Sequence, residues 1–329
     1  MNHTAKQILE AVQKAQSILL IPHQNPDGDA LGASSAFGLW IQSLGKDFTY
    51  YCKTGASPRF SYLPIETLTS DPSVWEKAYD VVIVFDSGDL RYAGVDEQIA
   101  KIRDQITLID IDHHATNEYF GDLNFVDTKA SSTSEMVQRF FAINHIAVQK
   151  EIATSLLTGF ITDTDNFTNG ATSSFALSSV SNLIKSGGSM VPIQNRVYKN
   201  ISIPALKVWG TMLSRLSHNT EHDMVYTYIT LGDIREAGIG DSDIEGLANF
   251  MNMIEEGAAK IILKEIEPNK WKGSFRTTRN DIDVSLFAQA MNGGGHKKAA
   301  GFKVEGDIEQ AFATIFSVIQ NERNKAAKA

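Results

Sequence analysis

The stretch Asp110-Ile111-Asp112-His113-His114 closes a largely apolar run over residues 106–111. A short apolar segment of this kind predicts a buried strand, so the polar side chains stand at its carboxyl end. In open sheets of alternating strands and helices, ligands bind outside the carboxyl ends of the strands. The stretch therefore predicts a polar site at one edge of a parallel sheet.

Three other apolar runs lead into acids or histidines in the same way. Residues 17–22 lead to His23, Asp27 and Asp29, residues 81–85 lead to Asp86, and residues 156–161 lead to Asp163 and Asp165. Carboxylate and imidazole donors without a thiolate suit Mn²⁺, Mg²⁺, Fe²⁺ or Zn²⁺. Bridging carboxylates can hold two such ions roughly 3.5–4 Å apart, which suits an in-line displacement at phosphorus. The four segments together predict phosphoester hydrolysis.

Taken singly, several of these residues also have structural interpretations. Asp27 and Asp29 fit an ordinary turn and helix cap, although His23 in front of them favours a site in which both carboxylates point to one centre. Asp86 fits an Asx turn just as well. A single histidine is usually structural, but the pair at the end of the central stretch, beside two acids, is much less often so. Residue chemistry alone leaves Asp86 undecided.

The pattern as a whole resembles a known family. His23-x-Asn25-Pro26-Asp27-Gly28-Asp29-Ala30-Leu31-Gly32, Asp86, Asp112-His113-His114 and Thr162-Asp163-Thr164 resemble the four motifs of the DHH phosphoesterases. Gly293-Gly294-Gly295-His296 resembles the signature of the DHH-associated C-terminal domain. The motifs occur in the family's order over nearly the whole chain, and the resemblance is closest to the nanoRNase and pAp-phosphatase branch.

This resemblance implies two divalent metal ions, with Mn²⁺ preferred and Mg²⁺ as the alternative. The implied ligands are His23, Asp27, Asp29, Asp86, His113 and Asp163, with Asp86 bridging both ions. Among the implied catalytic residues, besides Asp86, Asp112 would hold His113 and His114 would contact the scissile phosphate. Asp165 stands where the family often has glycine, so it competes with Asp163 for the ligand position.

Strands and helices alternate up to about residue 184, which predicts an α/β fold with a doubly wound N-terminal domain and a mainly parallel sheet. After a break at residues 186–189 we expect a helical linker and a smaller C-terminal α/β domain with a mixed sheet. The expected ranges are 1–186 for the DHH catalytic metal-binding domain, 187–220 for the linker and 221–329 for the DHH-associated substrate-binding domain.

Local patterns add details to this organisation. Pairs of the form Ser/Thr-x-x-Glu/Gln predict capping boxes at Thr4, Ser132 and Ser242. Residues 323–329 predict a frayed tail.

The C-terminal part carries a local excess of positive charge. Between residues 258 and 303 there are nine Lys or Arg against four Asp or Glu, in a chain whose net charge is −9. Gly293, Gly294 and Gly295 predict a loop whose backbone N–H groups approach an anion, and His296 can donate a hydrogen bond. The alternative for three glycines alone is a flexible turn. With Arg276, we expect them to bind the substrate's terminal phosphate or nucleotide.

Composition bounds the class of protein. Hydrophobic residues make up 43% and charged residues 21% of the 329, as in soluble globular proteins. Cys52 is the single cysteine, which excludes an internal disulfide, and neither a signal pattern nor a long apolar run stands out. We therefore expect a cytoplasmic protein without a membrane partner. The net charge also argues against binding to long duplex nucleic acid.

These observations predict a phosphodiesterase that degrades very short oligonucleotides to nucleoside 5′-monophosphates and also dephosphorylates 3′-phosphoadenosine 5′-phosphate. Within the enzyme class, the alternatives are a cyclic-dinucleotide or pApA phosphodiesterase, a pyrophosphatase, and a long-strand exonuclease, for which an added oligonucleotide-binding domain is lacking. A non-catalytic nucleotide sensor on the same fold is a further alternative, against which the filled ligand set argues. A homodimer is suggested by family analogy alone.

Overall fold

The structure is a computed structural model that describes residues 1–198, 202–240 and 250–326; the side chains of His296 and Ala326 are not among the described parts. The chain divides into two compact units, Met1–Asn200 and Ile201–Ala329. Within the described ranges, no helix is both long enough and apolar enough to cross a membrane. The capping box predicted at Ser242 lies outside the described residues.

The first unit is built on a six-stranded sheet in which every neighbouring pair is parallel. Its strands are β1 (Ile18–Pro22), β2 (Thr49–Tyr51), β3 (Leu68–Thr69), β4 (Val81–Phe85), β5 (Thr107–Asp112) and β6 (Leu123–Val126). The order is β3-β2-β1-β4-β5-β6, so the direction of winding changes between β1 and β4. Ligands of open α/β sheets bind at the carboxyl ends of the strands beside such a switch point.

Helices cover both faces of this sheet. They are α1 (Asn2–Lys14), α2 (Gly28–Ser43), α3 (Leu90–Ala93), α4 (Asp96–Ile102), α5 (Thr133–Ile143), α6 (Lys150–Asp163), α7 (Ser174–Lys185) and α8 (Val191–Ile193), with 3-10 turns at Pro58–Phe60, Pro72–Glu76 and Arg103–Gln105 and a π-helical turn at Gln194–Tyr198. Ile18 and Leu20 face the core formed with α2, α5 and α6, whereas Leu19 and Ile21 face the core formed with α3 and α4. Because both faces are buried, β1 and β4 are apolar throughout, and the predicted doubly wound fold is confirmed.

The second unit is built on a mixed six-stranded sheet. Its elements are α9 (Ile203–Ser214), β7 (Ser217–Asn219), β8 (Met224–Ile229), α10 (Leu231–Ala237), a 3-10 turn (Met251–Met253), β9 (Ala259–Glu267), β10 (Lys270–Arg276), α11 (Val284–Gln289), β11 (Gly294–His296), β12 (Ala299–Glu305) and α12 (Ile308–Ala326). The order is β11-β12-β10-β9-β8-β7, and only β8 and β9 run parallel. Helices α11 and α12 pack on one face. The prediction of a smaller mixed α/β domain after helical segments is confirmed.

Two local predictions at the helix ends are wrong. Thr4 lies inside α1, because the backbone N–H of Ala5 already bonds to the carbonyl of Met1 and the helix begins before Thr4. At the other end of the chain, α12 continues to Ala326 instead of fraying at residue 323, and a Glu322–Lys325 ion pair of 2.6 Å supports its last turn. A basic side chain in the last turn of a helix interacts favourably with the negative end of the helix dipole.

Ser132 caps α5 as predicted, but the reciprocal half of the box is absent. The backbone N–H of Glu135 donates to Ser132 Oγ at 3.0 Å. The carboxylate of Glu135 accepts instead from Ser131, from its N–H at 3.0 Å and its hydroxyl at 2.7 Å. The buried Glu135 also bonds to Arg139, one turn further along the helix. The acid therefore secures the loop that enters α5.

Candidate metal centre

The connection from β1 to α2 supplies three of the predicted ligands. Asp27 is the N-cap of α2, and its Oδ1 accepts hydrogen bonds from the N–H groups of Asp29 at 2.9 Å and Ala30 at 3.1 Å. The same oxygen lies 3.9 Å from Nε2 of His23, so Asp27 is a cap and also faces the site. Asp29 lies in the first turn of α2, fully buried, and not in the turn before it as expected.

Asp86 lies between the other candidate ligands. It follows β4 with a left-handed φ of 60°, a conformation that Asp and Asn tolerate better than most residues. Its Oδ2 is 3.7 Å from Nε2 of His23, and its Oδ1 is 3.7 Å from Nε2 of His113. The side chain is buried, and its two oxygens face different histidines. This is the geometry that a bridging carboxylate needs.

The C-terminus of α6 supplies the last carboxylate. Asp163 Oδ2 lies 3.5 Å from Nε2 of His113, and that nitrogen lies 4.0 Å from Oδ2 of Asp29. Asp163 forms one donor group with these two residues, and no donor group among the described residues includes Asp165. The geometry favours Asp163 over Asp165 for the ligand position.

The six predicted ligands thus meet in one place. In the described part of the chain, donor atoms lie within 4.8 Å of one another in three groups, which are His23 with Asp27 and Asp86, Asp29 with His113 and Asp163, and Asp86 with His113 and His114. Asp86 and His113 each belong to two of the groups, so the groups form one continuous cluster. Its oxygen and imidazole donors fit hard or borderline divalent cations.

The carboxylates of this cluster repel one another. Burial raises the pKa of Asp29 well above its usual range, and the charges of Asp86 and Asp163 raise it further. Burial and the charge of Asp27 raise the pKa of Asp86. Burial also raises the pKa of Asp163 to about 7, although His113 opposes the rise. A divalent cation would offset this repulsion, so the electrostatics fit a metal site as well as the donor atoms do.

The start of α5 holds two of these acids in place. The N–H groups of Thr133 and Ser134 donate to Oδ2 and Oδ1 of Asp29 at 2.6 and 2.8 Å. The hydroxyl of Thr133 donates to Oδ1 of Asp86 at 2.8 Å. We call these three donors the α5 clamp. A helix N-terminus favours negative charge, and all four side chains are buried. The sequence predicted only the Ser132 cap; the Ser-Thr-Ser run at the cap was the available signal.

Asp112 orients His114, whereas the sequence predicted that it would hold His113. Its Oδ1 lies 2.6 Å from Nδ1 of His114, while Nδ1 of His113 lies 3.2 Å from the carbonyl oxygen of Ala130. Both histidines lie beyond the end of β5, and the chain there brings both rings toward Oδ1 of Asp86, at 3.7 Å from Nε2 of His113 and 3.6 Å from Nδ1 of His114. Asn117 Nδ2 donates to Oδ2 of Asp112 at 2.7 Å and completes a buried chain.

This chain favours a charged imidazole. Burial lowers the pKa of His114, but its hydrogen bond to Asp112 and the charge of Asp86 raise the pKa to about 10. Burial raises the pKa of Asp112, yet the bond to His114 outweighs it and brings the value to about 2. Asp110, without a predicted role, is buried in the same strand, where burial and Asp112 raise its pKa to about 8. Neither of its oxygens has a hydrogen-bond partner among the described residues.

The predicted substrate-binding residues lie in the second unit. Residues Gly294–His296 form the edge strand β11 and not a loop, because they pair with β12. A Cβ on Gly293 would lie 2.1 Å from the carbonyl oxygen of Gly301, and Gly295 has a left-handed φ of 141°. Packing and conformation therefore require both glycines. A Cβ on Gly294 would meet nothing within 4 Å.

Arg276 and His296 occupy one row of the sheet. Arg276 pairs with Ala299, and Ala299 pairs with His296 on its other side. Arg276 is half-buried, and its Nη1 donates to the carbonyl oxygen of Phe275 at 2.9 Å. The side chain of His296 lies outside the described part of the structure.

Comparison with known families covers both units. Residues 17–160 match the DHH family, N-terminal domain, and residues 222–321 match the DHHA1 domain. The chain belongs to the DHH family. This finding confirms the resemblance predicted from the motifs.

Individual relatives of this DHH protein match either nearly all of the chain or part of it. The bifunctional oligoribonuclease and PAP phosphatase NrnA of Thermus thermophilus is 27% identical over 97% of this chain and 94% of that protein. A probable manganese-dependent inorganic pyrophosphatase of Streptococcus mutans is 30% identical over 45% of this chain and 48% of that protein. The crystal structure of an exopolyphosphatase-related protein from Bacteroides fragilis covers 100% of this chain and 98% of its own, with a TM-score of 0.89 at 23% identity. That similarity shows the shared fold.

Proposed function

We propose that this DHH protein is a divalent-metal-dependent phosphodiesterase that degrades very short oligonucleotides to nucleoside 5′-monophosphates. Phosphomonoesterase action on 3′-phosphoadenosine 5′-phosphate is its second activity. The observation that carries the proposal is the pair of donor groups, His23–Asp27–Asp86 and Asp29–His113–Asp163, which are linked through Asp86 and His113. The relative named as an oligoribonuclease and PAP phosphatase matches along nearly the whole chain and supports the substrate class.

Two metal ions would be held by these six residues. Mn²⁺ is the preferred ion, since the relatives include probable manganese-dependent pyrophosphatases, with Mg²⁺ as the alternative. When bound, such ions supply Lewis acidity for a water nucleophile and for the charge on a phosphoryl group. The α5 clamp keeps Asp29 and Asp86 oriented, because both carboxylates accept its hydrogen bonds independently of any ion.

His114 is the proposed acid and electrostatic group of the reaction. Its bond to Asp112 raises the pKa of the imidazole, and Asn117 fixes Asp112 from the other side. A charged imidazole beside Asp86 would stabilise negative charge on the phosphoryl oxygens or donate a proton to the leaving oxygen. Asp112 therefore acts on the reaction through His114.

The second unit would bind the end of the substrate. Arg276, the exposed Gly294 and the edge strand that ends at His296 offer a cation and backbone N–H groups for a terminal phosphate. A single binding site for the terminal phosphate favours short substrates, because binding energy away from the reacting phosphate then comes from that site alone.

Product analysis tests the proposal. Purified protein with Mn²⁺ is mixed with RNA and DNA of about two to ten nucleotides, pAp, pApA, a cyclic dinucleotide and pyrophosphate, since a single terminal grip favours the shortest strands. His113→Ala is the inactive variant, and His3→Ala, at an exposed position of α1, is its matched control. We expect dinucleotides and pAp to be consumed fastest, and only His113→Ala to lose turnover.

Other outcomes select the alternatives. Faster hydrolysis of cyclic dinucleotides or pApA would replace the oligonucleotide assignment with a dinucleotide phosphodiesterase. Faster hydrolysis of pyrophosphate would assign a pyrophosphatase. Binding of nucleotides without turnover under Mn²⁺, Mg²⁺, Zn²⁺ or Fe²⁺ would overturn the enzyme assignment in favour of a nucleotide sensor.

A further inference from the structure

One face of the second unit's sheet is covered by α11 and α12, and on the other face α9 and α10 pack over β8 and β9, where Ile262 lies opposite Ser274. The open part of that other face is formed by β10, β12 and β11. Along β10 and β12, buried and more exposed residues alternate strictly, and the buried ones face α11 and α12. The other side of β10 carries Lys270, Lys272, Ser274 and Arg276. An antiparallel sheet with one solvated face normally shows such alternation, but its solvated residues are usually mixed in charge. This face is mostly basic.

Strand register arranges these side chains in rows, because residues directly opposite each other point to the same side. Lys272 pairs with Lys264 of β9 on one side and with Lys303 of β12 on the other. We call these three residues the lysine row. Arg276 pairs in the same way with Lys260 and Ala299. Between these two rows, Ser274 pairs with Gly301, which pairs with Gly294, and these three form the small-residue row.

The lysine row opposes the stability of the sheet. Like charges directly opposite each other on neighbouring strands are destabilising. Lys272 and Lys303 are both exposed, so each adds to the positive potential over the face. In the next row, Glu267 bonds to Lys270 at 2.7 Å and Glu305 lies opposite Lys270. Lys303 also lowers the pKa of Glu267, though less than Lys270 does. The residues directly opposite Lys272 are therefore lysines on both sides, whereas these two acids lie opposite Lys270.

The small-residue row leaves the middle of this face bare. Glycine is required by packing at Gly273 on the covered side, where a Cβ would lie 2.1 Å from the ring of Phe302. On the open side, a Cβ would meet nothing within 4 Å at Gly294 and nothing closer than 3.8 Å at Gly301. Packing does not explain these two glycines. A glycine in a strand marks a place where a ligand can approach the backbone closely.

We infer that Lys272 and Lys303 form a second phosphate subsite for a single-stranded oligonucleotide that lies across the small-residue row. This inference rests on the proposed function and specifies how substrates longer than a dinucleotide bind. Along β10, Lys272 and Arg276 are four residues apart, which is roughly 13 Å at about 3.3 Å per residue. At about 3.4 Å per stacked nucleotide, that span corresponds to about four nucleotides. The bare row accommodates sugars or bases between the two phosphate contacts.

Chain-length dependence tests the inference. In the variant Lys272→Gln/Lys303→Gln we expect KM for a five-nucleotide RNA to rise about tenfold, with KM for a dinucleotide and for pAp unchanged and kcat unchanged throughout. The dependence of log affinity on log salt for the five-nucleotide RNA should fall by roughly 0.7, the value for one phosphate contact on a single strand. Lys270→Gln is the matched control, because Lys270 is exposed on the same strand but bonded to Glu267.

A second variant tests the bare row without changing charge. Gly301→Val adds a branched side chain that suits a strand and would stand over the middle of the open face. We expect it to raise KM for the five-nucleotide RNA more than KM for pAp. Equal effects of either variant on pAp and on the five-nucleotide RNA would overturn the inference, as would the absence of any effect.

Direct binding separates this inference from the proposed function. The fluorescence anisotropy of a labelled five-nucleotide RNA, measured with metals chelated, reports binding of the RNA to the basic face. This measurement does not depend on whether the protein hydrolyses the RNA. Loss of that binding in the lysine double variant, with no turnover by the wild type, would retain the basic face and reject the phosphodiesterase. Turnover of dinucleotides by the wild type, with unchanged RNA binding in the double variant, would retain the enzyme and reject the second subsite.

Discussion

The two sheets meet an anionic ligand with opposite charges. In the first unit, acids are concentrated at the carboxyl edge of a sheet buried on both faces, and helix α5 donates hydrogen bonds to two of them. In the second unit, cations are spread over an open face, and Lys272 and Lys303 are exposed. The acids of the first arrangement can bind a phosphate through intervening cations, whereas the cations of the second can bind it directly.

This difference predicts two kinds of response to substitution. In the first unit the acids belong to donor groups that share Asp86 and His113, so the loss of one donor should affect the whole site. In the second unit the exposed cations are surrounded by solvent, and salt screens their attraction to phosphate. Each substitution there should therefore weaken binding only partly, by an amount that depends on salt concentration. The predictions below run from the strongest expected effect to the weakest.

The largest effect is expected for Asp86→Asn. Asparagine tolerates the left-handed conformation at this position, so the fold should persist while the charge that faces both His23 and His113 is lost. We expect Mn²⁺ affinity, measured by calorimetry, to fall by more than about 100-fold, and turnover to approach background. Asp89→Asn is the control, because Asp89 caps α3 through the N–H of Tyr92 and asparagine caps equally well. Equal behaviour of the two variants would refute the bridging role of Asp86.

Asp112→Asn should separate turnover from metal binding. The amide keeps the shape of the carboxylate but cannot hold His114 protonated, so we expect kcat to fall by about 10²- to 10⁴-fold. Mn²⁺ affinity should change little, because Asp112 belongs to none of the donor groups among the described residues. A parallel loss of metal affinity and turnover, measured on the same preparation, would show instead that Asp112 supports a ligand.

Thr133→Val should weaken metal binding by about 10- to 100-fold, as is typical when a group that orients a ligand is removed. Valine keeps the shape of threonine but removes the hydroxyl that donates to Asp86. Thr133→Ser should restore the affinity. Ser134→Ala should leave it unchanged, since the hydroxyl of Ser134 has no hydrogen-bond partner among the described residues. If the valine variant binds Mn²⁺ as the wild type does, the α5 clamp does not act through the Thr133 hydroxyl.

The smallest effect is expected for Asp233→Asn in the second unit, on stability alone. Burial raises the pKa of Asp233, but the paired Arg215, at 2.5 and 2.9 Å, outweighs it and lowers the pKa to about 2. Because the folded pKa lies below the unfolded value, the carboxylate stabilises the fold above about pH 4 and loses this effect as the pH falls toward 2. Urea unfolding at pH 7 should show a loss of about 1–2 kcal/mol that disappears near pH 2.

A matched acid sharpens this last comparison. Asp281 pairs with Arg279 at 2.6 Å, but both side chains are exposed. Asp281→Asn should leave the urea midpoint unchanged at both pH values. A loss of stability equal to that of Asp233→Asn would contradict the distinction between partly buried and exposed pairs.

The sequence predicted the parallel sheet because buried strands are apolar on both faces, which is a strong signal in β1 and β4. It missed β3, β6, β7 and β11, since two to four residues carry too little pattern to distinguish a strand from a turn. The glycines of β11 indicated a loop, although pairing with β12 decides their structure. Pairing between strands distant in sequence is a tertiary property.

The predicted ligand set followed from the resemblance of the motifs to the DHH phosphoesterases, but the hydrogen-bond partners of these residues did not. That Asp112 bonds to His114 and not to His113 depends on the path of the chain beyond the end of β5, which the DHH motif does not reveal. The contacts of Thr133 and Ser134 with Asp29 join residues more than 100 positions apart. Helix caps can be recognised in a sequence. The side chains distant in sequence that accept hydrogen bonds from the N–H groups at the start of a helix cannot.

The α5 clamp also bears on the order of folding. Its contacts with Asp29 span 104 and 105 residues, and the contact with Asp86 spans 47. Contacts of such sequence separation form only after the intervening chain has been ordered, and loop closure makes them slow. The metal centre is therefore complete only once α5 has docked. Manganese would bind the candidate metal site, which the last steps of folding complete. Manganese added to the refolding protein should therefore slow unfolding more than it accelerates folding.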